Sequence, residues 1–210
     1  MTTRVVKTQQ ELDAALTDAK VSSIHIDSPR DVWLHLNSSG SATVRAYGSA
    51  TVRATPRVAI HLHSARAAVT GGVVIDISAL DLNNPTVWTE HHGVEVVDDQ
   101  AILYKATSAE LIAGADYGKP TTYTVGTEVA ATDWRDDHDC GGGLHISPRP
   151  DQARRYRNGE AGTRYLRVAV PLESLRPIDE SKAKARQVRV LAEVDLDGVE
   201  LAGAGRESGR

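Results

Sequence analysis

The chain has no phenylalanine, and its Trp and Tyr residues bring aromatics to only 4% of 210 residues. Large rings usually dominate the energetics of a core. This interior must therefore be built from small and β-branched side chains, which thin coils and flat sheets tolerate best. A single cysteine excludes an internal disulfide. No apolar run reaches the roughly 18 residues that a membrane helix needs, and no basic-then-apolar leader opens the sequence, so no membrane association and a cytoplasmic location are expected. A surplus of positive charge is missing too. With 24 basic against 28 acidic residues the net charge is −4, which makes nucleic acid an unlikely partner on overall charge.

What is present is repetition. Gly40 to Tyr47 reads GSATVRAY and Gly48 to Thr55 reads GSATVRAT, each copy opened by a turn residue and followed by strict alternation. Similar strand-like pieces recur at about eight-residue spacing from Ile24 to Ile77, separated by Gly, Ser, Pro or Asp. Such a period predicts stacked β-coils, with two or three copies to each turn. Ahead of them, Thr8-Gln9-Gln10-Glu11 fits a capping box, and Leu12, Ala15, Leu16 and Ala19 share one helical stripe. That helix is expected to cover the open edge of the first coil. Arg45, Arg53, Thr43 and Thr51 read as a solvated face of the coil. His61 and His63 flank Leu62 on one strand face, with His25 and His35 at related positions; hydrogen-bonded imidazoles are the expectation, and no metal site is assigned.

The octad pattern breaks at Leu80 to Pro85, and 81–99 reads as a linker or docking segment in which Trp88 is a buried plug. Strands are expected at Ala101 to Ala106, Tyr165 to Val170 and Gln187 to Val194, and Tyr123 to Val129 reads as strand with a Gly-centred turn. Helices are expected over Ser108 to Ala113 and Arg149 to Tyr156, the second with Pro150 in its first turn. The whole is therefore a mixed β and α+β chain. A short N-terminal parallel β-solenoid capped by a helix (1–80) and the 81–99 segment precede a small α+β domain (100–197), and a flexible tail (198–210) follows. The densest polar chemistry runs from Asp133 to Pro148. There, Asp136 to Cys140 read as a solvated acidic loop, and Cys140 itself as a small buried residue. His145, between Leu144 and Ile146, is either a strand residue bonded to a neighbouring carbonyl or part of a site.

On its Thr8 capping box and Ile24-His25-Ile26 strand, the front half resembles the N-terminal end of right-handed parallel β-helix proteins; the octapeptide is also similar to repeats of ice-nucleation proteins. Residues 94–197 resemble a family of uncharacterised actinobacterial and actinophage domains, through LYKA at 103–106, YTVGTEV at 123–129, CGGGLHISPRPDQARRY at 140–156, RYLRVAVPLESLRPI at 164–178 and KARQVRVLAEVD at 184–195. The order of an aromatic-basic strand end, GLHIS, a helix with Ala and Tyr, and LRVAVP is also similar to the split β-core of ADP-ribosyltransferases and of the RNA 2′-phosphate transferase.

That resemblance implies an NAD-dependent transferase with Lys105 at the phosphate-holding position, His145 and Ser147 in the second block, and Glu193 polarising the ribose. Tyr104, Gly143 and Tyr156 would then contact the cofactor. The sequence departs from the pattern where Lys replaces Arg or His, and where Glu193 lies outside any ExE or QxE motif. The alternative is a non-catalytic binding or phage-associated accessory module that uses the solenoid surface for a protein partner. The two readings differ in one geometric respect: an enzyme brings Lys105, His145 and Glu193 into one cleft, and a binder scatters them.

Overall fold

The computed structural model describes residues 2–157 and 160–201, and the chain divides into two compact units, Met1–Leu80 and Asp81–Arg210. The first unit runs β1 (Thr2–Val6), α1 (Gln9–Thr17), β2 (Val21–Ile26), β3 (Trp33–Leu36), β4 (Thr43–Ala46), β5 (Thr51–Leu62) and β6 (Ala68–Asp76). Every strand pairing in it is parallel, and the strands curl into a solenoid-like coil with two faces. One face stacks β1, β2, β4 and the second half of β5. The other stacks β3 on the first half of β5, and β6 extends both.

Register shows how the octapeptides are used. Val44 lies opposite Ile24 and Ile60, whereas Val52 lies opposite Leu34 and Val69. The two copies therefore occupy adjacent faces of one turn and do not stack on each other. Arg45 stands in a column with His25 and His61, and Arg53 in a column with His35 and Thr70; Thr51, expected on the solvated face, is buried and its hydroxyl donates to the Val32 carbonyl at 2.8 Å. Each copy opens with Gly because the corner needs a left-handed residue: Gly40 and Gly48 have φ of +57° and +56°. Inside the coil, alternation buries Ile24, Leu34, Val44, Val52 and Ile60, short side chains that suit its narrow interior.

The capping box forms as expected. Thr8 Oγ1 accepts the Glu11 amide at 3.3 Å, and Glu11 Oε2 accepts the Thr8 amide at 3.1 Å. Leu12 and Ala15 are buried in the coil's core. Gln9 does what an extra strand would do: its side-chain amide donates to the His35 carbonyl at 3.0 Å and its Oε1 accepts the His35 N–H at 2.7 Å. The helix thereby satisfies part of the edge of β3.

The second unit is also rich in sheet, with short helices. It contains α2 (Pro85–His91), β7 (Val96–Val97), β8 (Gln100–Thr107), β9 (Ile112–Ala113), β10 (Thr121–Thr122), β11 (Glu128–Ala130), β12 (Leu144–Ile146), α3 (Pro150–Arg154), β13 (Arg164–Pro171), β14 (Leu175–Pro177), β15 (Ala183–Ala185) and β16 (Gln187–Val194). One antiparallel sheet has the order β11-β16-β13-β8-β7, a second the order β12-β15-β14, and β9 pairs with β10. Tyr104 and Ser147 exchange backbone hydrogen bonds of 2.9 and 2.8 Å, which fastens the end of β12 to β8. The core between the sheets holds Leu103, Ile146, Leu166, Val168, Val190 and Trp88.

Several elements differ from the sequence expectation. Ser108 to Ala113 is not a helix: Leu111 takes φ +61° and the segment turns back, with the Ser108 amide bonded to the Ile112 carbonyl at 2.8 Å. Tyr123 to Val129 has its expected turn at Gly126, with φ +86°, where Thr127 Oγ1 donates to the Thr124 carbonyl at 2.8 Å, but strand begins only at Glu128. Within 81–99, Asn84 caps α2 and accepts the Thr86 amide at 2.9 Å; the helix carries Trp88 into the core of this unit, where its indole N–H donates to the Asp179 carbonyl at 2.8 Å. Of the expected tail, residues 202–210 lie outside the described residues. Gly198 to Leu201 are ordered against β16, the Leu201 amide bonding the Glu193 carbonyl at 2.9 Å. No helix among the described residues is long and apolar enough to cross a membrane.

Candidate functional site

A small cavity of about 30 Å³ opens where β8, β12 and α3 meet, lined by Tyr104, Lys105, Ala106, His145, Ile146, Ser147, Ala153, Tyr156 and Lys182. Its position follows from alternation. Lys105 follows Leu103 on the inward face of β8, and its Nζ reaches across to donate to the His145 carbonyl at 2.7 Å and lies 5.4 Å from the centre of the Tyr123 ring. Pro150 starts α3 directly after the β12 turn, and Ala153 is small enough to let the helix sit against β8.

The electrostatics are one-sided. Burial and the neighbouring Arg157 push the Lys105 amine down to about 8. Burial likewise pushes the His145 imidazole down to about 4, reinforced by the charges of Lys105, Lys182 and Lys184, so it is neutral at physiological pH. It accepts a long hydrogen bond of 3.4 Å from the Gly141 amide at Nε2. Lys182 behaves differently. Burial opposes its charge, but Tyr156, Asp179 and Cys140 outweigh that effect and raise its pKa, keeping it protonated. Its ammonium lies 5.2 Å from the Tyr156 ring centre, 3.4 Å from Cys140 Sγ and 3.8 Å from Asp179. The Tyr156 hydroxyl shares a 2.6 Å hydrogen bond with Ser181.

Of the residues expected at a site, Lys105, His145, Ser147, Tyr104 and Tyr156 come together here, Tyr104 with its phenol close to Gly198. Two do not. Glu193 is clamped by a bidentate ion pair with Arg164, one bond being 2.6 Å from Nε to Oε1, and this partner holds its carboxyl below the usual range. Leu166 stands between Glu193 and Lys105 in the sheet register. Gly143 packs against Trp134, whose ring leaves no room there: an added Cβ would sit 3.1 Å from Cε3.

The Gly-rich loop has its own organiser, Lys184, which pairs in register with His145 and is fully buried. Its ammonium forms an ion pair with Asp137, donates to the Asp139 carbonyl at 3.0 Å and lies 5.8 Å from the Trp134 ring centre. Asp133 pairs with Lys119 and accepts the Gly143 amide at 3.0 Å, and Asp136 pairs with Arg176. The expected solvated acidic loop is exposed at Asp136, His138 and Asp139 and is ion-paired as well, whereas Cys140, expected to be buried, is exposed. Lys182 and Lys184 escaped the sequence reading. Their signal was the alternation Ser181-Lys182-Ala183-Lys184-Ala185, which puts both amines on one face beside buried alanines.

Residues 101–202 match the model of a domain of unknown function, DUF7666. That stretch contains every residue that lines the cavity. No curated protein and no solved structure matches the chain.

Proposed function

We propose that the second unit binds a small anionic group, a phosphate or carboxylate, in the cavity between β8, β12 and α3. The observation that supports this most is the convergence of Lys105 and Lys182 on one opening whose lining contains no acidic side chain. Lys105, which has no salt bridge among the described residues, is costly to keep charged, and an incoming anion held between it and Lys182 removes that cost. Tyr156, about half exposed, offers a ring at the rim.

The nucleotide-handling, ADP-ribosyltransferase-like reading shares this anion pocket but needs two further features. A cavity of about 30 Å³ admits a head group, whereas sites for larger ligands run to roughly 300 Å³ and above. The carboxylate that would polarise a ribose, Glu193, is engaged by Arg164. Binding without transfer is therefore the better-supported activity, and NAD would enter by one phosphate at most.

Calorimetric titration with inorganic phosphate and with NAD tests both readings, using the protein beside Lys105→Met, Lys182→Met and Glu193→Gln. Saturable phosphate binding lost in both lysine variants and kept in Glu193→Gln is the expected result. Turnover of NAD abolished by Glu193→Gln would overturn it in favour of a transferase.

The first unit carries a second reading as a protein-binding surface. Among the described residues β6 pairs with β5 alone, and Val73, Val74 and Ile75 on it are exposed. An extended partner segment could add to that edge. Amide exchange protection of 68–76 in the presence of such a partner is its test.

A further inference from the structure

Lys105 differs from the other lysines of the chain in what surrounds its ammonium. Lys119, Lys182 and Lys184 each lie within ion-pair distance of a carboxylate, and Lys7 and Lys20 are exposed to solvent. Lys105 Nζ has a neutral backbone acceptor, an aromatic ring and a second cation, Arg157, about it; no carboxylate among the described residues forms a salt bridge with it. It lines a cavity that also holds a neutral imidazole, His145, and a protonated amine, Lys182. Desolvation beside another cation is the arrangement that turns a lysine into an amine nucleophile.

We infer that Lys105 condenses reversibly with the carbonyl of a small 2-oxo acid or aldehyde acid, whose carboxylate is held by Lys182. This rests on the anion-binding reading of the same cavity and assigns the ligand class. The Nζ lone pair adds to the carbonyl carbon to form a carbinolamine; the carbinolamine then loses its oxygen as water, and the C=O bond is replaced by C=N. One carbonyl and one amine give one imine and one water, with no change of oxidation state and no co-reactant. The first proton released from nitrogen moves to the former carbonyl oxygen and the second leaves with the departing hydroxyl as water, so the condensation takes up and releases no net proton. An amine at about 8 has a neutral fraction at pH 7 that is roughly three hundred times that of an ordinary lysine at about 10.5. The small volume favours short-chain acids over larger carbonyl compounds.

Glyoxylate with cyanoborohydride is the probe, since reduction fixes an imine as a stable carboxymethyl-lysine, and peptide mass mapping resolves the chain's few lysines. Lys105 is expected to be modified at pH 7 at least about tenfold faster than Lys7, Lys20 or Lys119, with a pH midpoint near 8. Acetaldehyde, which has no carboxylate, is expected to lose that preference, as is glyoxylate with Lys182→Met. Modification of Lys105 no faster than of the exposed lysines overturns the proposal. Equal preference for acetaldehyde overturns the oxo-acid assignment. Saturable phosphate binding in a protein that shows no selective trapping leaves the anion site standing and the imine refuted; loss of both refutes the anion site as well. Thermal unfolding of each variant separates a lost amine from a lost fold.

Discussion

Three basic side chains on the second unit meet three different fates, and each follows from the partner rather than the residue type. Lys184 is fully buried yet ion-paired with Asp137, Lys182 is stabilised in its charged form, and Lys105 is depressed. Removing the first should loosen the loop it gathers. Lys184→Met is expected to raise amide exchange at Asp139 and Gly141 by about tenfold or more while β13 and β16 remain protected, as exchange followed by mass spectrometry would show. The histidines act through pH. His145 and His92 are both held near 4, His145 by burial and the surrounding lysines, His92 by burial and then His91, whereas an unfolded imidazole titrates near 6.5. Between those values the unfolded chain takes up protons that the folded one refuses, so stability is full above about 6.5 and falls as pH drops towards 4. Urea midpoints measured across that window should decline, and a His92→Asn, His145→Asn double variant should flatten the decline. The sequence marked His145 by its place between Leu144 and Ile146. It could not show that three lysines from β8 and the β15 hairpin would surround it, because those contacts cross long stretches of chain.

At the level of elements, what could be read from the sequence was whatever local chemistry decides. The capping box names its own partners within four residues, and both bonds form between Thr8 and Glu11. Thr8→Ala is accordingly expected to lower the stability of the first unit by about 1 kcal/mol, measurable by urea unfolding. Strands with clean alternation, Ala101 to Ala106 and Gln187 to Val194, appear where the pattern places them, as β8 and β16. The misses share a physical cause. Ser108 to Ala113 has a helix-like cap and apolar residues, but Leu111 gives its carbonyl to Tyr123 at 2.8 Å and helps close a β-turn that a helix would destroy. Tertiary pairing there outweighs the weak local propensity. The helix at Pro85–His91 was obscured by its shortness: two turns show no period, and only Asn84 as a cap and Pro85 at the first position announce it.

At the scale of the molecule, two apolar clusters that share no residue form the interior. One runs along the coil through Ile24, Leu36, Val52 and Ile60, and the other through Trp88, Leu103, Leu166 and Val190. Cooperativity follows shared burial, since a side chain stabilises whatever melts with the atoms it touches. Ile60 and Leu166 are both fully buried, one in each cluster. Truncating either to alanine removes buried methyl groups and leaves a cavity, at a cost of about 2–5 kcal/mol. If the clusters melt separately, Ile60→Ala lowers one calorimetric transition and leaves the other in place, and Leu166→Ala does the reverse. Phosphate added in excess should then raise only the transition that Leu166→Ala shifts, because a ligand stabilises the unit that folds its site. A single transition lowered alike by both substitutions would mean that the two clusters unfold as one, and that the cavity beside Lys105 draws its rigidity from the whole chain.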